Sequence, residues 1–186
     1  MLGIILITGP KHSGKTSAGR ALAEILGVGF IDLDELIEQQ TGKSPRTLYK
    51  EGSGVFRQAE VRALASLLPQ VVGCPPKVVA AGGGLIDNSD ALELLGRGNY
   101  PGTAPVVIYL EVSADTAWER ISAAAKKTGE LPPFLKTENP RETHATLHER
   151  RGTAYKEFAA LTITVEGKTS WDIGREIAGL IERNYT

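Results

Sequence analysis

The stretch Gly9-Pro10-Lys11-His12-Ser13-Gly14-Lys15-Thr16 decides how the rest of the chain is read. It spells G-x-x-x-x-G-K-T. The residues before it, Leu2-Gly3-Ile4-Ile5-Leu6-Ile7-Thr8, form an apolar run that reads as a buried strand. The residues after it, from Ser17 to Leu26, place Ala18, Ala21, Leu22 and Ile25 on one helical face. Strand, glycine loop and helix, in that order, are the context that turns the pattern into a phosphate site. Glycines let backbone N–H groups turn inward around phosphates, and the helix N-terminus adds a favourable dipole. The spacing predicts a nucleoside triphosphate site over Gly9, Pro10, Lys11, His12, Ser13, Gly14, Lys15, Thr16 and Ser17. Lys15 is expected to reach the β- and γ-phosphates, and the Thr16 hydroxyl to ligate Mg²⁺.

Composition narrows the class around that site. At 186 residues the chain fits one domain, 1–186, and can bury a substantial core. Hydrophobic residues make up 41% and charged residues 23%, and the formal net charge is −1. No basic field therefore points to nucleic acid or an anionic membrane as partner. The single cysteine, Cys74, excludes an internal disulfide and reads as a packing or surface residue. The apolar start is too short for a membrane span and lacks a basic flank, so the expected location is cytoplasmic.

Strand and helix alternate along the chain, the pattern of a parallel sheet covered on both faces. Gly29 to Asp32 is a short strand, Glu35 to Gln40 a helix stopped at Thr41-Gly42, and Ser44-Pro45 opens another by a cap-then-proline signal. Glu51-Gly52-Ser53-Gly54 reads as a break before a helix from Val55 to Leu68. Strands are expected at Lys77–Ala81, Val106–Leu110 and Leu161–Val165, with helices at Ser89–Leu95, Ser113–Ala125, Arg141–Ala159 and Ser170–Arg183. Gly96 to Pro105 reads as a loop. Lys126 to Pro140 has no apolar periodicity and holds Pro132, Pro133 and Pro140. A loop of that length in a compact domain is usually functional.

A phosphate loop alone does not separate kinases from GTPases and motor ATPases. No Asn-Lys-x-Asp base-reading motif occurs, and large ATPases need more chain. A short chain with a proline-rich segment before its last strand suits phosphoryl transfer to a small acceptor, with the segment closing to exclude water. Ligands of parallel α/β sheets bind beyond the carboxyl ends of the strands. That edge presents Asp32 and Asp34 and the triple glycine Gly82-Gly83-Gly84. Asp34 is positioned to hold and polarise an acceptor hydroxyl, and Asp32 to hold Mg²⁺ through water. Asp-x-Asp before a helix also serves as a plain cap. Consecutive glycines at a strand end permit close approach of backbone to substrate, although they also make simple turns.

The motifs taken together resemble the shikimate kinase family. The resemblance is carried by the phosphate loop, Phe30-Ile31-Asp32-Leu33-Asp34 with Glu38, Phe56-Arg57-Gln58-Ala59-Glu60, Ala81-Gly82-Gly83-Gly84 and Arg151-Gly152-Thr153-Ala154-Tyr155. It extends from Leu2 to about Ile181. It implies a three-layer α/β fold of the P-loop kinase type, a five-stranded parallel sheet flanked by helices. It also implies a mobile lid at about 126–140 and a substrate-binding helical segment at about 34–66. The implied reaction is phosphorylation of the 3-hydroxyl of shikimate by MgATP in aromatic amino-acid biosynthesis, by a monomer. In the implied site Lys15 and Asp34 are catalytic, and Thr16 and Asp32 serve the metal. Arg120 packs against adenine. Asp34 and Gly82, Gly83 and Gly84 meet the substrate hydroxyls, Arg57 and Arg151 hold its carboxylate, and Glu60 braces Arg57. Bidentate guanidinium groups suit a carboxylate.

The lid departs from that pattern. The family usually carries Arg-Pro-Leu-Leu there, whereas Leu131 or Pro132 occupies the arginine position here, and no arginine lies between Arg120 and Arg141. Lys126, Lys127 and Lys136 are the candidate stand-ins, as point charges without a fork. Two alternatives stay open at this stage: a kinase of another small hydroxylated acid or polyol, and a catalytically impaired nucleotide-binding relative. His144 and His148 stand one turn apart without a third ligand and read as packing or surface residues, as do Trp118 and Trp171.

Overall fold

The computed structural model describes residues 3–68, 76–97 and 105–185. The site's frame begins with β1 (Ile4–Thr8), whose five residues are all buried. Its alternating side chains feed two separate cores, as the period of two in a strand requires. Ile4 and Leu6 face one core, while Ile5 and Ile7 face the other. β1 lies between β3 (Lys77–Ala80) and β4 (Val106–Glu111), with Leu6 opposite Val79 on one side and Val107 on the other. β2 (Gly29–Asp32) and β5 (Leu161–Thr164) complete a wholly parallel five-stranded sheet in the order β2-β3-β1-β4-β5.

Helices cover both faces, as a buried parallel sheet demands. α1 (Lys15–Leu26), α6 (Ala114–Thr128) and α8 (Ser170–Tyr185) pack on the Ile5 face through residues such as Leu22, Ala117 and Ile177. α2 (Leu33–Thr41), α3 (Pro45–Glu51), α4 (Ser53–Leu67) and α5 (Ser89–Arg97) pack on the other through Ile37, Leu48, Leu64 and Ala91. α7 (Pro140–Phe158) brings Phe158 to that same core. The three-layer α/β architecture expected from the alternation is the one observed.

Local differences have local causes. α1 begins at Lys15, because Gly14 takes the left-handed conformation (φ 94°) and turns the chain straight into the helix. The break before α4 is confined to Gly52, and Ser53 is already helical. α6 runs on through Lys126 and Lys127 to Thr128 and stops at Gly129, which adopts φ 75°. Two lysines in the last turn complement the helix dipole without adding apolar periodicity, so the pattern did not mark them as helix. The segment between α6 and α7, where a lid was expected at about 126–140, is thereby confined to 129–139 and contains a 3₁₀ turn at Pro133–Leu135. Pro140 opens α7 at its first turn. Of the loop expected at Gly96–Pro105, Gly96 and Arg97 belong to α5, and residues 98–104, like Cys74, lie outside the described residues.

Candidate active site

The carboxyl edge of the sheet carries a cleft of about 510 Å³. Its walls are the phosphate loop, Asp34 of α2, Pro45 of α3, Phe56 and Glu60 of α4, the glycine turn after β3, Phe134 of the lid and Arg151 of α7. Residues from Lys11 to Arg151 therefore meet in one space.

In the phosphate loop, Lys15 Nζ donates to the carbonyls of Gly9 (3.0 Å) and Pro10 (2.7 Å). Burial pushes its ammonium down to about 8; Asp34 opposes that shift and Lys11 adds to it. The Ser13 hydroxyl is buried and has no partner among the described residues, which leaves a donor free inside the loop. His12 holds φ 62°, a left-handed conformation that costs about 1–2 kcal/mol for an L-residue. Its carbonyl accepts from Arg120 Nη1 at 3.1 Å, so Arg120 is anchored on the outside of the loop and not in the cleft wall.

Asp32 caps a helix and also faces the Thr16 hydroxyl. One carboxylate oxygen accepts the Asp34 N–H at 3.1 Å and caps α2, and the other accepts the Thr16 hydroxyl at 2.9 Å. Asp34 is thereby turned into the cleft. Burial, with Asp32 adding, holds its carboxyl above the usual range, against the pull of Lys15 and Lys11.

Each glycine of the triple turn meets a different neighbour. A Cβ on Gly82 would stand 3.9 Å from Asp34 Oδ1, and one on Gly84 would stand 3.7 Å from Arg151 Nη2. A Cβ on Gly83 would fall 2.5 Å from the Gly9 carbonyl oxygen, which no relaxation of a side chain can relieve. Close approach of two backbones, not φ, forces glycine there. Tyr155 pins the turn from below. Its hydroxyl accepts from Thr8 Oγ1 (2.7 Å) and from the Ile86 N–H (3.1 Å), and its ring stacks on Tyr109 at 5.1 Å.

Arg151 reaches the cleft from α7, where Asp87 Oδ2 accepts from its Nε at 2.9 Å and its Nη2 at 2.6 Å. Arg150 Nη1 lies 2.9 Å from the other oxygen of Asp87. Burial opposes ionisation of Asp87, yet the two guanidinium groups hold its carboxyl below the usual range. Arg57 behaves differently from expectation. Its side chain is exposed on α4 and does not line the cleft, and its carbonyl accepts from Asn88 Nδ2 at 3.0 Å. Glu60 does not pair with it either. Glu60 is 1% exposed and accepts from Asn88 Nδ2 at 2.8 Å, and burial pushes its carboxyl up to about 7 although that bond opposes the rise.

The lid lies over this edge. Phe134 sits beneath the Arg151 guanidinium, 5.7 Å from ring centre to Cζ, and Leu135 is fully buried. Glu130 pairs with Arg46 of α3 and, at 3.4 Å, with Lys136. The space under the lid continues past Tyr49, Leu131, Pro132 and Pro133. His144 is buried against Trp118 and His148, in keeping with a packing role, while Trp171 is 42% exposed. No group of three or more His, Cys, Asp or Glu among the described residues could form a metal site by itself. No described helix is long and apolar enough to cross a membrane.

Asp87, Asn88, Tyr155 and Phe134 were given no role by the sequence motifs, and Glu60 was expected to brace Arg57, not to accept from Asn88. Their signal was weak because each acts through partners distant along the chain, such as Tyr155 and Thr8, 147 positions apart.

The fold and the loop chemistry define a P-loop kinase that phosphorylates a hydroxyl group. A family model described as Shikimate kinase matches residues 11–182. A shikimate kinase of Actinobacillus pleuropneumoniae is 34% identical over 180 residues, covering 96% of this chain and 95% of that protein. The structure of a shikimate kinase from Acinetobacter baumannii in complex with shikimate superposes with a TM-score of 0.80 at 32% identity, covering 100% of this chain and 96% of that one. A gluconokinase from Sinorhizobium meliloti shares the fold at a TM-score of 0.60 and 24% identity, covering 98% of this chain and 95% of that one. The chain belongs to the shikimate kinase family.

Proposed function

We propose that this chain transfers the γ-phosphoryl group of ATP to the 3-hydroxyl of shikimate, acting as a monomeric cytoplasmic enzyme of aromatic amino-acid biosynthesis. The observation that carries the reading is the meeting of Lys15, Asp34 and Arg151 around the Gly82–Gly84 turn in one cleft. These are a phosphate-binding cation, a carboxylate fit to accept a hydroxyl proton and a guanidinium fit to hold a carboxylate.

Loop N–H groups, the free Ser13 hydroxyl and Lys15 bind the triphosphate, with Gly9 to Ser17 forming the cradle and Arg120 bracing it from the adenine side. Thr16 and Asp32 suit Mg²⁺, which takes one or two protein oxygens together with phosphate oxygens and water. When bound, the ion neutralises charge on the β- and γ-phosphates. Arg151, oriented by Asp87, grips the substrate carboxylate on one side. Arg57 closes on it from the rim of α4. Asp34 accepts the hydrogen of the attacking hydroxyl, and its raised pKa makes it a better base for that task. The backbone at Gly82, Gly83 and Gly84 packs against the remaining hydroxyls. The whole chain works as one kinase domain, with α2 to α4 as the acceptor-binding segment and the mobile 129–139 lid excluding water through Phe134 and Leu135.

Initial-rate ADP release across a panel of shikimate, quinate and gluconate tests the acceptor. The expected result is a kcat/KM for shikimate at least about 100-fold above the others, since a site built to bond specific hydroxyls rejects analogues lacking them. A higher kcat/KM for another acceptor would overturn the assignment.

A further inference from the structure

Positive charge is needed where the phosphoryl group leaves ATP, and most cations around the cleft already have partners. Lys15 bonds two loop carbonyls, Arg151 is held by Asp87, and Arg46 is paired with Glu130. The lid presents Leu131, Pro132, Pro133 and Phe134 to the space beneath it, and its Lys136 is drawn to Glu130. Lys126 and Lys127, in the last turn of α6, line neither the cleft nor its extension under the lid. None of the three candidate lid lysines is therefore brought to the reacting centre.

Lys11 is. Its ammonium has no ion pair or hydrogen bond among the described residues, yet the residue borders the cleft, its extension under the lid and the small cavity behind Phe134. It stands where the phosphate loop, Asp34, Gly83, Phe134 and Arg151 converge. A long flexible stem ending in a point charge can follow a phosphoryl group from donor to acceptor.

We propose that Lys11 is a catalytic residue, the phosphate-loop cation that stabilises the transferring phosphoryl group in place of the arginine this lid lacks. In the step it serves, the acceptor oxygen forms a bond to the γ-phosphorus as the bond from that phosphorus to the bridging oxygen breaks. The bonding pair leaves with ADP, and the hydroxyl proton passes to Asp34. Negative charge spreads over the equatorial oxygens in the transition state, where an unpaired ammonium is worth more than in the ground state.

The inference rests on the shikimate kinase reading, and steady-state kinetics of Lys11→Met, Lys11→Arg and a Lys126→Ala/Lys127→Ala/Lys136→Ala triple variant tests it. Lys11→Met should lose about 100-fold or more in kcat while the KM for ATP and its calorimetric affinity stay within about threefold. Lys11→Arg should recover most of that loss, and the triple variant should keep a kcat within about threefold of the unsubstituted chain. An unchanged kcat in Lys11→Met, a loss confined to the KM for ATP, or an equal loss in the triple variant would overturn it. Absence of turnover in the unsubstituted protein would overturn the kinase reading itself, and it would show in the reference and not in the variants.

Discussion

Glu60→Gln should stabilise the protein, and only on the alkaline side. The Glu60 carboxyl is 1% exposed, bonded to Asn88, and faced by Asp34, Arg57 and Arg151. Burial raises it from 4.5 to about 7 against the lowering effects of Asn88 and the arginines. Between those pH values the folded chain holds a proton that the unfolded chain has released. Stability therefore falls as pH rises through that window and levels off above it. At about 1.4 kcal/mol per pH unit, ionising Glu60 in the folded state costs about 3 kcal/mol in full. Glutamine keeps the shape and an acceptor for the Asn88 amide but never ionises. Urea unfolding followed by circular dichroism between pH 4.5 and pH 8 reads the difference directly. The variant should match the unsubstituted chain at the acid end and exceed it by about 3 kcal/mol at pH 8. A difference that stays constant with pH, or that favours the unsubstituted chain at pH 8, would refute the reasoning.

Three further outcomes follow from the geometry. Gly83→Ala places a methyl 2.5 Å from the Gly9 carbonyl oxygen, so urea unfolding should show a loss of about 1–3 kcal/mol, and ATP titration a weakened phosphate loop. Asp87→Asn leaves Arg151 without its charged partner, and the KM for shikimate should rise about tenfold with the KM for ATP unchanged. Tyr155→Phe leaves the Ile86 N–H without its acceptor and the Thr8 hydroxyl with only the Gly82 carbonyl at 3.4 Å, which should lower stability by about 1–3 kcal/mol in the same unfolding assay.

The sheet and the phosphate loop were legible because both are local. Ile4 to Thr8, the glycines and the helix after them each carry their own signal within a few residues. Asp32 was readable as cap or metal residue, and the two readings were compatible because a carboxylate has two oxygens. What escaped was set by packing between distant elements. Glu60 lies one turn from Arg57 in sequence, yet α4 turns it inward to Asn88 while Arg57 points out. The lid lysines stood near the right place in the chain, but α6 continues past Lys127 and carries two of them off as solvated last-turn residues. Lys11 was read only as one of the loop residues around the nucleotide, and it is the fold that sets it in one cleft with Asp34 and beneath the 129–139 segment.

Phosphorus NMR of the product formed from MgATP and shikimate tests the central claim most directly, with Lys15→Ala as the control. The account predicts one new phosphomonoester, on the 3-oxygen of shikimate, formed in equal amount to ADP and absent from the control. Release of ADP with no phosphorylated shikimate, or a phosphate carried on a different oxygen, would contradict it.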